Sequence, residues 1–426
     1  MEATSLVELF VQEKEQIVQR CDQCGMCVEA CPAIPLTPLA SMLPSDIQAK
    51  VMDVLKDGTM SEEAAIIAAS CMHCARCVGT CPQDLNPLML REILQLEVVK
   101  LGQKRYPLME IKLGDRICLL PDVLASMQIK PGDERWLTRV PDNPPQKDFV
   151  VFTGCAPMMM PDKVFLVADI LGRLELDFAL VAGGELCCGA RYLGVSLEKA
   201  DAYGRALVHA LTAFRPRKVI FCCAECAYRV AQYYQRILSV PFEHEELFHF
   251  LSQHIDELEF TQPVNKRVTL HDPCSITRIH GDTESLRRLL GAIPGLKLVE
   301  MKRNKEQSIC CGAAASRYFP QVGQEMTRQC LEEAARTGAE VLVDACQGCH
   351  LQFCPEEPKY PLEIQNCLTI IGQSMGISYE DKIKKFYSYG DADKVLAEAR
   401  ENIEAGPYDF DHVAHLAKRF FKGPSP

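Results

Sequence analysis

Two stretches share one form: 217-RKVIFCCAEC-226 and, 123 residues later, 340-EVLVDACQGC-349. Each runs from charged residues through a short apolar segment into a C-x2-C pair. A continuous apolar segment of this length, bounded by turn residues, reads as a buried strand. Working outward, the cysteines upstream repeat as well. Before the first stretch lie Cys155 and Cys187-Cys188-Gly189, with gaps of 31 and 34 residues. Before the second lie Cys274 and Cys310-Cys311-Gly312, with gaps of 35 and 34. Ten cysteines thus fall into two sets of five, and the chain contains an internal repeat.

The other segments fill in each copy. Strands are expected at 148-DFVVFTG-154, 177-DFALVAGG-184 and 217-RKVIFC-222, then at 267-RVTLHD-272, 296-LKLVEM-301 and 340-EVLVDA-345. Helical stretches such as 199-KADAYGRALVHALTAF-214 and 321-QVGQEMTRQCLEEAARTG-338 lie between them. Alternation of strand and helix predicts a parallel, Rossmann-like sheet with helices on its faces. Ligands of such sheets sit beyond the carboxyl ends of the strands. Every cysteine element follows a strand there, so five thiolates per copy should gather at one sheet edge. The glycine after each pair is expected to let the backbone approach inorganic sulfide.

Eight further cysteines lie near the N-terminus, in 21-CDQCGMCVEACP-32 and 71-CMHCARCVGTCP-82. Both read C-x2-C-x2-C-x3-C-P, the run that wraps a 4Fe-4S cluster, with the fourth cysteine passing to the other cluster. One set is then Cys21, Cys24, Cys27 and Cys81, the other Cys71, Cys74, Cys77 and Cys31. Two zinc knuckles are the alternative, but zinc has no use for a fourfold run copied twice. Between the runs, 45-SDIQAKVMDVLKDG-58 reads as a helix with Ser45 as N-cap and Gly58 past its end. A second helix is expected over 61-SEEAAIIAAS-70, so the module is helical.

Composition supports metal over disulfides. The 426-residue chain has 23 cysteines, an odd number, and a net charge of -11. The acidic balance argues against nucleic acid. Apolar runs such as 164-VFLVADIL-171 are far shorter than a bilayer span. The first twenty residues carry four acids and read as an amphipathic helix rather than a signal peptide. A cytoplasmic location is therefore expected, where thiols stay reduced.

The pattern C-x31-39-CC-x33-38-C-x2-C resembles the cysteine-rich CCG domain. Two copies behind a two-cluster ferredoxin module resemble the catalytic subunits of heterodisulfide reductases, in the form that fuses the small ferredoxin subunit to the CCG subunit. The resemblance covers about residues 15 to 355. It implies an α+β multidomain protein: an α-helical dicluster ferredoxin module, then two α/β CCG domains. It implies two cubane 4Fe-4S clusters and two noncubane ones. Cys155, Cys187, Cys188, Cys223 and Cys226 would hold one noncubane cluster, and Cys274, Cys310, Cys311, Cys346 and Cys349 the other. Cubanes with a spare thiol, or structural zinc, remain as alternatives at the CCG sites. The implied activity is an electron relay to a disulfide or thiol substrate, fed by a flavoprotein or other donor subunit. Related subunits also serve as pure electron carriers in flavin-containing complexes, including aromatic-ring reductases and hydroxy-acid oxidases, which is the competing reading.

Domain bounds follow: 1–105 for the ferredoxin module, 106–146 for a proline-rich surface linker, 147–262 and 263–375 for the two CCG domains, and 376–426 for a helical tail. The tail is expected to pack on the protein's own core in preference to docking a partner. His350 and His271, beside Cys349 and Cys274, are candidate proton donors; a buried histidine bonded to backbone is the bland alternative. Arg191, Arg229 and Arg278 stand near cluster elements, with surface solvation the preferred role for each. Cys118, Cys222, Cys330, Cys354 and Cys367 fall outside the motifs and read as buried small hydrophobes.

Overall fold

A computed structural model describes residues 3–107 and 109–421. The N-terminal module is helical, with principal helices Leu6–Arg20, Pro44–Asp57, Glu62–Ser70 and Pro87–Lys100. Ser5 and Ser61 cap the first and third through their hydroxyls, which accept from Glu8 and Ala64 N–H. The second helix departs from expectation. It starts at Pro44, with Leu43 as N-cap, so Ser45 lies inside the first turn. Proline's fixed φ and missing N–H suit that first position better than a serine cap one residue on. Gly58 ends this helix in the left-handed region, as its position implied.

Residues 106–146 are not a bare linker. They carry an antiparallel hairpin of β1 (Glu110–Leu113) and β2 (Arg116–Leu119), then a helix over Leu120–Ser126. Leu113, Val123, Leu124 and Met127 are buried against the tail helices Lys382–Tyr389, Ala392–Ala405 and Phe410–Phe420. The tail's Val413 and Leu416 turn inward to this cluster, so it packs on the chain's own core.

Each CCG region is a four-stranded parallel sheet with the same order. In the first, β3 (Phe149–Phe152) lies between β4 (Phe178–Val181) and β5 (Lys218–Phe221), and β6 (Glu243–Glu246) completes the edge. In the second, β7 (Arg267–Leu270) lies between β8 (Lys297–Leu298) and β9 (Val341–Asp344), with β10 (Glu363–Asn366) at the edge. The sheets share one hydrophobic core: Val151 and Ile220 from one copy meet Val268 and Val343 from the other. Helix Pro161–Arg173 packs on Cys367–Ser374, and Leu247–Gln253 on Ser285–Ala292. First and last helices of the copies thus pair reciprocally. The ferredoxin helices cover the opposite face of the first sheet, with Val150, Phe152 and Phe221 in their core. Among the described residues, no helix is long and apolar enough to cross a membrane.

Candidate metal centres

Both ferredoxin-type runs begin at a helix end: Cys21 caps Leu6–Arg20 and Cys71 caps Glu62–Ser70. The same two positions of each run then enter the left-handed region, Gln23 and Gly25 in one, His73 and Ala75 in the other, which adds Gly79 further on. Non-glycine residues adopt this conformation only under local constraint. Here it curls both loops alike. The crossed sets come together: Cys81 lies among Cys21, Cys24 and Cys27, and Cys31 lies beside Cys71, Cys74 and Cys77, in a cavity that Cys27 also lines. Cys24 is exposed and Cys74 buried, so the first site faces solvent and the second faces inward. Burial pushes the Cys71 thiol up to about 12. Cys74 falls instead to about 6, because Cys310 donates a hydrogen bond to its sulfur and the Arg278 charge stands nearby. A ferredoxin-run thiol thus shares a buried cluster with the CCG thiols Cys310 and Cys311.

Each CCG set also converges. Cys155, Cys188 and Cys226 are pushed well above the ordinary thiol range, chiefly by hydrogen bonds with neighbouring thiols of their set. Cys187 goes well below it, since Cys155 and Cys188 donate to its sulfur. In the second set Cys310 and Cys349 rise and Cys311 falls for the same kind of reason. The glycine after each pair has a reason other than the one expected. Gly189 and Gly312 have φ of +82° and +87°, and a Cβ there would lie 2.4 Å from the Ala200 or Gly323 carbonyl oxygen. Helix backbone, together with the left-handed turn, excludes a side chain. That turn aims each glycine N–H at the first sulfur of the pair, 3.3 Å to Cys187 Sγ and 3.5 Å to Cys310 Sγ.

The segments that carry the two CCG sites touch. His280, after Cys274, sets Nε2 2.7 Å from the Ala224 carbonyl oxygen. Gln347, between Cys346 and Cys349, sets Nε2 3.4 Å from the Cys222 carbonyl oxygen. The C-x2-C segment of the first copy is thereby tied to both the first-cysteine and the C-x2-C segments of the second.

Surface solvation does not hold for the three arginines. Arg191 and Arg229 are 4% and 3% exposed. Arg229 pairs with Glu92 at 2.6 Å and with Glu225. Arg278, half-buried, donates to the Cys74 carbonyl at 2.7 Å and to the Ser308 carbonyl and hydroxyl at 3.0 and 2.9 Å. Neither histidine is bonded to backbone through its ring. His350 is fully buried with Nδ1 2.7 Å from Asp344 and Nε2 2.9 Å from Asp381, so both nitrogens are engaged. His271 has Nδ1 3.2 Å from Cys330 Sγ and no partner at Nε2. It groups with Cys311 and Cys349, ligand atoms within 4.8 Å of one another. Of the remaining cysteines, Cys222, Cys330, Cys354 and Cys367 are buried and Cys118 is half-buried. Cys222 lies at the end of β5 and joins the core between the sheets, whereas Cys223 packs toward the opposite core.

Orphaned donors test whether clusters fit. Arg91 Nη1, Arg191 Nε and Nη1, and His271 Nε2 are buried without partners. Arg91 contacts the ferredoxin cysteines, Arg191 lies beside Cys187 and Cys155, and His271 beside Cys311. Buried polar groups are seldom left unmatched, and sulfide-bearing clusters supply acceptors at each place. The donor set is all thiolate, which suits iron–sulfur chemistry.

Comparison with known proteins agrees. Residues 20–86 match the 4Fe-4S dicluster domain, and residues 149–231 and 268–354 match the cysteine-rich domain CCG. A subunit of the dihydromethanophenazine:CoB--CoM heterodisulfide reductase of Methanosarcina barkeri is 26% identical over 412 residues, covering 84% of this chain and 94% of that protein. Its Methanosarcina acetivorans counterpart is 26% identical over 413 residues with the same coverage. A subunit of the fumarate reductase (CoM/CoB) of Methanothermobacter marburgensis is 25% identical over 373 residues, 85% of this chain and 72% of that one.

Proposed function

From the premise that this chain is a heterodisulfide reductase-like iron–sulfur subunit, with a dicluster ferredoxin module and two CCG domains, we propose that it cleaves a disulfide between its paired CCG sites. It is an oxidoreductase subunit that relays electrons through 4Fe-4S centres, cubane in the module and noncubane in the CCG domains. The single observation that carries the reading is the buried cluster in which Cys74 packs with Cys310 and Cys311, which joins the ferredoxin module to a CCG site. Its relatives are named as parts of multi-subunit reductases, so the assembly includes a donor protein; a flavoprotein is the proposed donor.

The reaction is R–S–S–R′ + 2e⁻ + 2H⁺ → RSH + R′SH. When bound, the clusters supply one-electron carriers and, at the CCG sites, an electrophilic metal for sulfur. The two five-cysteine sets would hold these groups, one set for each sulfur of the disulfide. Arg278 fixes the junction by which electrons arrive. His271 Nε2 is the free N–H positioned to hold a proton beside the second set; His350, clamped between carboxylates, has a structural role. Anaerobically iron-loaded protein tests this, supplied with reduced viologen and bis(2-hydroxyethyl) disulfide. Turnover is expected, with a paramagnetic signal on mild oxidation that changes when 2-mercaptoethanol is added. Full iron content with neither response would sink the proposal.

A further inference from the structure

The Pro87–Lys100 helix runs between the ferredoxin loops and the first CCG domain, buried over nearly its whole length. Arg91 on this helix is 4% exposed. Its Nη2 lies 3.7 Å from Cys27 Sγ and 3.4 Å from Gln48 Oε1, and its Nη1 has no partner. Cys27 belongs to the solvent-facing set. Arg91 also lines one cavity in which Cys27 meets Cys31, Cys71, Cys74 and Cys77 of the inward set. The neighbouring Glu92 is committed elsewhere, to Arg229 and Tyr233. Gln48, by contrast, reaches only the first set, 3.8 Å from Cys21 Sγ and 3.5 Å from Cys27 Sγ.

We propose that Arg91 is a positioning residue whose single guanidinium charge serves both ferredoxin-type sites, holding both reduction potentials up. Each site gains one electron and one negative charge on reduction, and no bond is made or broken. A buried site solvates that charge poorly. A permanently charged guanidinium in a dry setting offsets the cost, and it cannot titrate away. One cation between two sites favours the reduced form of each, so electrons passing from the exposed site to the buried one meet no step created by burial alone. The proposal rests on the division of the eight run cysteines into two sites.

Potentiometric titration of the full iron-loaded chain, followed by electron paramagnetic resonance, tests it. Dithionite serves as one-electron reductant. In Arg91→Gln both midpoints should fall by more than a tenfold change in the one-electron equilibrium, about 59 mV, with iron content unchanged. Arg91→Lys keeps the charge and loses the fork, so both should fall by less. Gln48→Leu should lower the first site alone. A shift confined to one site in either Arg91 variant, or no shift, overturns the proposal. If Arg91→Gln fails to load iron, Arg91→Lys decides by the same criterion. Iron-loaded wild type lacking two separate 4Fe-4S signals would overturn the site division itself, a failure distinct from unshifted midpoints.

Discussion

Gly312 shows how one residue holds a cluster site in shape. Its φ of +87° costs an L-residue roughly 1–2 kcal/mol, and an added Cβ would meet the Gly323 carbonyl oxygen at 2.4 Å. That oxygen belongs to helix Pro320–Ala335 and cannot yield without moving the helix. Gly312→Ala should therefore displace the Cys310-Cys311 turn and empty the second CCG site. Iron per chain should drop from about sixteen to about twelve, four per cluster. Gly376 is the control, since its φ is +73° but a Cβ there meets nothing within 4 Å. Gly376→Ala should keep all its iron and lose only the conformational cost, read from urea denaturation.

At the scale of elements, the Pro87–Lys100 helix is fastened to the first CCG domain by Glu92, which meets Arg229, Tyr233 and His73. Burial alone would raise the Glu92 carboxyl, but the Arg229 charge and the hydrogen bonds from His73 and Arg229 hold it at about 2. The shift from 4.5 corresponds to about 3 kcal/mol. A depressed folded pKa means the contribution is complete above the unfolded value and is lost as pH falls from 4.5 toward 2. Glu92→Gln should thus cost about 3 kcal/mol at pH 7, and the gap from wild type should narrow below about pH 4.5. Urea titrations followed by circular dichroism at pH 7, 5, 4 and 3.5 would show it; a gap that stays constant counts against the pairing. Other elements differed in legibility. The central strands could be read because both faces are covered and their sequences, such as FVVF and VLVD, are continuously apolar or nearly so. The edge strands β6 and β10 read EHEE and EIQN, which carry no such signal: β6 is partly uncovered, and β10, though buried, is polar, with Asn366 bonded to Asp344. The hairpin in 106–146 was hidden because prolines suggested a linker, while its burial depends on tail helices nearly 300 residues away. Cysteine spacing exposed all eighteen proposed cluster residues, since ligand geometry imposes it. Burial of Arg91, Arg191 and Arg229 was not legible, because an arginine's partners are set by tertiary packing.

Across the whole molecule, the repeat is symmetric in its sheets and cysteines but asymmetric in its wiring. Four residues after Cys274 stands Arg278; the matching position after Cys155 is Met159. Arg278 ties the Cys74 carbonyl to Ser308, two residues before Cys310. The first copy meets the ferredoxin module at Arg229 and Glu92, and also at Asp201 and Arg236, and Met159 offers no such tie there. Electrons should therefore enter the pair of CCG sites through the second copy. Arg278→Met removes four hydrogen bonds at that junction while leaving every cysteine in place. Reduction of the ferredoxin-type centres should keep its wild-type rate. Arrival at the CCG sites should slow by roughly tenfold, about 1.4 kcal/mol on the barrier, read by rapid freeze-quench paramagnetic resonance. Equal slowing by Arg278→Met of both phases, or none of either, would mean that the second copy is not the port of entry and that the two halves of the repeat share the electron traffic.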